Sequence, residues 1–308
     1  MPAILYIVVV LLSPTLSHSF GSGGDQFHRC LRHGDAIDWS NDNRFIAVYT
    51  AEDRRHLTVP LDDITAYDNN LAVSSGTSFD AVDIKHGCQA LNFPGGTGQL
   101  ACFTSNNCDK DDFCFIERDF TIASWIRLNS APTATATWWG NDQTKGVFNS
   151  GIILGMDTML HWRFVIDPSA AADEVILTST NPTTVGTWTH VAARFTHIIP
   201  LGNMEQIFDG VVDSTTTAAA SVSACGATNG GIGMPPQSLN MRFDDMVFFN
   251  GFLSDIDICR IAVCGIRGDG CRCDWLGTPA NYLMRYRHSS EGGELSCTLP
   301  ACDKSTPD

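Results

Sequence analysis

Between residues 60 and 258 the chain is a succession of short β-like runs, each closed by a cluster of Gly, Pro, Asn or Asp. This pattern restricts it to a sandwich or barrel. The runs are CQALNF, GQLACFT, DFTIASWIRL, GIILGM, MLHWRFVID, DEVILTS, TWTHVAARFT, EQIFDGVV and MRFDDMVFF. Two of them show the period of two that a half-buried strand requires. In FTIASWIRL, Phe120, Ile122, Ser124, Ile126 and Leu128 share one face, and Thr121, Ala123, Trp125 and Arg127 share the other. In WTHVAARF, Trp188, His190, Ala192 and Arg194 alternate with Thr189, Val191, Ala193 and Phe195. The Ala/Thr-rich stretch 215–224 reads as strand and loop, because threonines favour a pleated surface. The only helix the pattern supports is a short turn after Leu253, and no internal repeat of fixed period is visible.

The flanks read differently. Residues 1–19 carry an apolar run from Ala3 to Leu12 and then Ser17-His18-Ser19, the form of a secretory signal peptide. That run is too short to cross a bilayer and no second candidate follows, so a secreted, extracellular protein is expected. Residues 20–59 have no assigned role, although a strand fits near Phe45–Tyr49. All 12 cysteines lie beyond the signal segment, which makes disulfides the expectation. Six of them fall in a cysteine-rich tail over residues 259–308. Candidate pairs are Cys108 with Cys114, around a short acidic loop, and Cys264 with Cys271.

Charge narrows the partners. The net charge of -15 argues against nucleic acid and anionic membrane surfaces. The acidity comes from 28 Asp against 6 Glu. Helical surfaces favour Glu, whereas turns and calcium loops favour Asp.

The segments DFTIASWIRLNS, GTWTHVAARFT, IFDGVVD and LNMRFDDMVFFNGFLSDIDI, in this order and preceded by HGCQALNFPGG, resemble the laminin-G-like (LamG) domain of the concanavalin A-like lectin/glucanase fold. The resemblance implies an all-β protein: an antiparallel jelly-roll β-sandwich over residues 60–258, followed by the small disulfide-rich C-terminal module. It also implies a Ca²⁺ at the sandwich rim. The cation wants about six to eight hard oxygens. LDDITAYDNN and FDDM offer them through Asp62, Asp63, Asp68, Asn69 and Asn70, and through Asp244 and Asp245. Strict alternation would let only one of the last two face a given side. The competing reading makes all of these turn formers and solvated strand ends.

Glucanases of this fold use two carboxylates, about 5–5.5 Å apart for retention, which a Glu-x-Asp-x-Glu strand supplies on one face. The chain has no such motif, nor a Gly-x-Ser-x-Gly elbow. Non-catalytic recognition of an extracellular glycan, glycoprotein or matrix protein through rim loops is therefore the leading expectation. A glycoside hydrolase or lyase of the same fold is the runner-up. Trp138 and Trp139 are adjacent, so alternation exposes one indole, beside Asn141 and Asp142, to stack on a sugar or to cover a loop. A third reading rests on Arg267-Gly268-Asp269 between Cys264 and Cys271, an adhesion tripeptide for an integrin-like receptor. With 27 Gly and 28 Asp in the chain, that tripeptide also arises readily by chance.

Overall fold

The computed structural model describes residues 42–51, 61, 63–65, 67, 69–73, 76–80, 83–86, 89–96, 101–103, 113, 115, 118–141, 151–167, 174–198, 201–218, 231–232 and 238–266. They form two layers of antiparallel strands. The first contains β3 (Ser78–Asp80), β4 (Ala90–Gly96), β6 (Phe120–Leu128), β11 (Trp188–Ile198), β12 (Leu201–Phe208), β13 (Val211–Ala218) and β15 (Ser238–Phe249). Its long path runs β15-β6-β11-β12-β13. On the far side of β15, β4 pairs with its first half and β1 (Phe45–Tyr49) with its second. The second layer contains β2 (Leu71–Val73), β5 (Ala101–Phe103), β7 (Ala136–Gly140), β8 (Gly151–Met156), β9 (Trp162–Asp167), β10 (Val175–Thr178) and β14 (Gly231–Ile232). A single parallel bridge, Ser238 with Thr137, joins the layers.

The core lies between the two layers. Phe120, Ile122, Ile126 and Leu128 of β6 enter it, as the alternation requires, and meet Trp162, Phe164 and Ile166 of β9. Ring contacts cross the gap, with Phe120 against Phe164 at 6.0 Å and Trp139 against Phe248 at 5.2 Å between centroids. The β12–β13 hairpin turns on Asp209-Gly210, both with positive φ (49° and 79°). This two-residue turn is of the kind that matches strand twist and that Asp-Gly permits.

The strand expected near Phe45–Tyr49 is β1, buried along its whole length against β15. Part of the segment 20–59 therefore belongs to the sandwich. At the other end, a boundary at residue 259 cuts through a helix, α1 (Asp255–Cys264). Ser254 caps α1 by accepting from the Asp257 N–H, and Asp255 and Asp257 complement the helix N-terminus. Gly265 ends it with φ 69°, and its N–H donates to the Ile261 carbonyl. Ile258 and Ile261, one turn apart, join Phe45, Val48, Ala123, Ala192, Ile207 and Val247 in a second apolar cluster. The helix thus covers the outer face of the first layer. Arg194, also on that face and buried, fixes it there. Its Nη1 donates to the Leu253 carbonyl (2.8 Å) and to Asp255 (2.7 Å), while Nε donates to Glu205 (2.6 Å).

Candidate functional site

Cross-strand register builds rows on the outer face of the first layer. Asn92, Arg242, Arg127 and Trp188 sit side by side on β4, β15, β6 and β11, and Asp244, Trp125 and His190 form the next row. Two arginines directly opposite one another repel, and the segment leading out of β3 supplies the counter-charge. Asp83 reaches Arg127 at 2.7 Å and Arg242 at 3.7 Å, and it accepts from the Trp188 indole at 3.3 Å. Asp80 accepts from Arg242 Nε and Nη2, both at 2.7 Å. Arg242 Nη1 is engaged with Asn129 and Arg127 Nε with the Gly186 carbonyl, which leaves Arg127 Nη2 as the one guanidinium nitrogen of the pair without a partner among the described residues. Arg127, Arg242, Asp80, Asp83 and Trp188 are all half-buried. They form a polar, aromatic surface at the end of the face that α1 leaves uncovered.

Between this patch and the helix, residues 83–86 lie across the middle row. Lys85 holds its ammonium 4.0 Å from the Trp125 ring centre, and His86 meets the same ring edge-on at 5.7 Å. His86 is fastened twice: its N–H donates to Asp244 (3.0 Å) and its Nδ1 lies 2.6 Å from Asp245. His190, below, is fully buried, and neither ring nitrogen has a partner. Burial, with a smaller push from His86 and Lys85, drives its pKa down to about 3, so the ring is neutral. Its backbone N–H donates to the turn residue Asp209, whose pKa burial raises.

Most residues that the sequence singled out lie elsewhere. Trp138 and Trp139 are 1% and 0% exposed, and both belong to the inter-sheet core. The expectation of one exposed indole fails because β7 carries a bulge: Thr137 pairs with Gly155 and Trp139 with Leu154, leaving Trp138 extra. Asn141 is buried too, donating to the Phe113 carbonyl and accepting from the Ile152 N–H. These three cannot stack on or bind a sugar from solvent, and Asp142 lies outside the described residues.

A bulge overturns the other alternation argument as well. On β15, Asp244 pairs with Trp125 and Val247 with Ala123, so two residues oppose one, and Asp245 takes φ 47°. Asp244 and Asp245 are 0% and 3% exposed, and both carboxylates turn to His86. Asp244 also accepts from the Asp245 N–H, and Asp245 from the Ile266 N–H. Asp63 accepts four hydrogen bonds, from Val48 N, Thr65 N, Thr65 Oγ1 and Asn69 N. Those fill the roughly four lone-pair sites of a carboxylate. Asn70 Oδ1 accepts from the Asp63 N–H. These donors hold backbone and do not fit a calcium shell, and among the described residues no three or more His, Cys, Asp or Glu side chains gather as metal ligands. Asp62 and Asp68 lie outside the described residues. So do Arg267, Gly268, Asp269, Cys108, Cys114, Cys271 and the Cys264 side chain. Cys259, 3% exposed, is disulfide-bonded. Among the described residues, no helix is long and apolar enough to cross a membrane.

The geometry has counterparts. The family model Laminin_G_3, of the concanavalin A-like lectin/glucanases superfamily, matches residues 97–259. No curated protein matches the chain. Among solved structures, the binding domain of Paraclostridial Mosquitocidal Protein 1 is similar at a TM-score of 0.53 and 10% identity, over 72% of this chain and 52% of that one. Botulinum neurotoxin type C, described for its interaction with two ganglioside molecules, is similar at 0.50 and 16% identity, over 70% and 50%. The binding domain of Botulinum Neurotoxin DC in complex with SialylT is similar to the same degree, at 0.50 and 16% identity over 70% and 50%. The chain spans about half the length of these structures, and at such identities the likeness is one of fold.

Proposed function

The chain belongs to the Laminin_G_3 family of concanavalin A-like lectin/glucanases, and on that premise we propose that it is a secreted, non-catalytic protein that binds an extracellular glycan or protein. The observation that carries the reading is the half-buried Trp188–Asp83–Arg127–Arg242–Asp80 patch, which α1 leaves uncovered on the outer face. Planar guanidiniums, carboxylates and an indole are the groups that grip hydroxyls and amides while presenting an apolar face. Two proteins of similar fold are described with gangliosides and with SialylT, so the fold is compatible with saccharide ligands. Binding is favoured over hydrolysis by the pairing within the patch. Asp80 and Asp83 both hold arginines, whereas a glycosidase needs one carboxylic acid free to give up a proton. The signal-like residues 1–19 and the disulfide at Cys259 support secretion.

The test is binding of the full chain to arrayed glycans and matrix proteins, repeated with Trp188→Ala. Loss of the indole is expected to weaken binding by about tenfold, the equivalent of ~1.4 kcal/mol. Unchanged affinity in a folded Trp188→Ala protein would move the site away from this patch.

A further inference from the structure

We infer that the patch selects an uncharged saccharide and discriminates against glycans bearing carboxylate or sulfate. The inference rests on the binding reading above and narrows its ligand.

Arginine recognises an anionic group best with two parallel N–H donors. On neither guanidinium do two adjacent nitrogens both lack a partner. On Arg242, Nε and Nη2 hold Asp80 and Nη1 holds Asn129. On Arg127, Nε holds the Gly186 carbonyl and Nη1 holds Asp83. To take a two-donor fork, an incoming carboxylate or sulfate must displace one of these acceptors, and it then sits close to Asp80 or Asp83. The patch itself is balanced, two arginines against Asp80 and Asp83. Behind it Asp244 and Asp245 add two buried carboxylates against the one ammonium of Lys85. At long range the chain presents a net charge of -15, which slows the approach of an anion and raises its local energy.

A hydroxyl needs a single N–H donor, and Arg127 Nη2 supplies one without displacing an acceptor. The hydroxyl donates to a carboxylate oxygen and accepts from an N–H at the same time, and the patch offers both within one row. The Trp188 ring is half-buried with its N–H turned to Asp83, which leaves ring surface for the apolar face of a sugar. The paired charges then act as fixed, preorganised dipoles rather than as a net charge, so binding needs no counter-ion on the ligand.

The experiment presents the full chain, at near-physiological salt, with uncharged oligosaccharides and the same oligosaccharides carrying sialic acid or sulfate. The expected result is retention of the uncharged members at least about tenfold more tightly than their charged counterparts. Asp83→Asn releases a donor of Arg127 and removes one negative charge, so the discrimination should narrow by about threefold or more. A thermal melt verifies that this variant is folded, and the wild-type comparison stands without it. Preference of the wild type for sialylated or sulfated members overturns the inference while leaving the binding reading intact. Retention of no glycan of either kind overturns the inference and removes the glycan half of the reading, which separates the two failures.

Discussion

The two ends of one sheet face are buried by different means. At the α1 end, Ala123, Ala192, Ile207 and Val247 are covered by Ile258, Ile261 and Ile266, an apolar contact from which water is excluded. At the other end, the same strands four or five residues along present Arg127, Trp188 and Arg242, half-covered by Asp80 and Asp83. The first arrangement gains stability in proportion to apolar area, roughly 1.5–3 kcal/mol for each fully buried isoleucine. The second gains little, since ion pairs still in contact with water contribute about 0–1 kcal/mol. What it offers is a set of oriented donors, acceptors and an indole that can exchange partners. On the proposed function, stability and recognition are separated along β6 and β11, and each end can be altered without the other.

Replacement of Ile261 by Ala tests the apolar end and carries the largest expected effect. A buried Ile→Ala change costs about 2–5 kcal/mol, and about 3 is expected here because α1 covers only one side of the sheet. Arg127→Ala at the other end should cost about 1 kcal/mol or less, yet weaken binding as strongly as Trp188→Ala does. Chemical denaturation and array binding of both variants would expose the comparison. Equal losses of stability, or a binding defect in the well-folded Ile261→Ala protein, would dissolve it.

The middle row sharpens the comparison by pH. His190 is neutral in the fold down to about pH 3, held so mainly by burial. In the unfolded chain it takes up a proton near its ordinary pKa of 6.5. Between these values the unfolded state binds more protons, so stability is complete above about pH 6.5 and declines as the pH falls towards 3. The contribution of this one group is up to about 1.4 kcal/mol per pH unit. Asp209 opposes it, because its raised pKa favours the fold when protonated. His190→Leu removes the titration together with two unpartnered buried nitrogens. Its stability should fall less steeply than the wild type below pH 6.5, by urea denaturation at stepped pH. Parallel curves would show that the imidazole does not remain neutral.

The sequence made the strands legible where burial and period agree. FTIASWIRL and WTHVAARF sort into faces as the alternation says, and the Asp-Gly turn sits where a two-residue hairpin needs positive φ. It failed wherever two adjacent residues were weighed as a pair. Trp138-Trp139 and Asp244-Asp245 both lie at bulges, and a bulge suspends the period of two on which the reasoning stood. The proposed binding patch was illegible for another reason. Asp83, Arg127, Trp188 and Arg242 are drawn from four distant parts of the chain, and only strand register makes them neighbours. Arg127 and Trp188 were correctly placed on strand faces, but nothing local said that their face stays open at one end. The length of α1, from a pattern that supported only a short turn, was hidden in the same way. Its apolar residues are spaced for a sheet they meet only in the folded protein.

The smallest effect is expected from metal. Asp244 and Asp245 stand at the junction of the two ends, where they join His86 to the chain leaving α1 through Ile266. Asp63 plays the same part for β1 and the loop beside it, through Val48, Thr65 and Asn69. A carboxylate engaged by several backbone donors gives up those bonds to coordinate a cation, which offsets much of what the cation contributes. A site filled at 100 times its Kd would add about 2.7 kcal/mol to stability. On the donor geometry, the change between excess Ca²⁺ and excess chelator should stay below about 0.5 kcal/mol, measured as a melting shift on the full chain. A shift of several degrees would instead assign a cation to Asp62 or Asp68. Asp68→Asn should then abolish the shift while leaving the chelated protein unchanged.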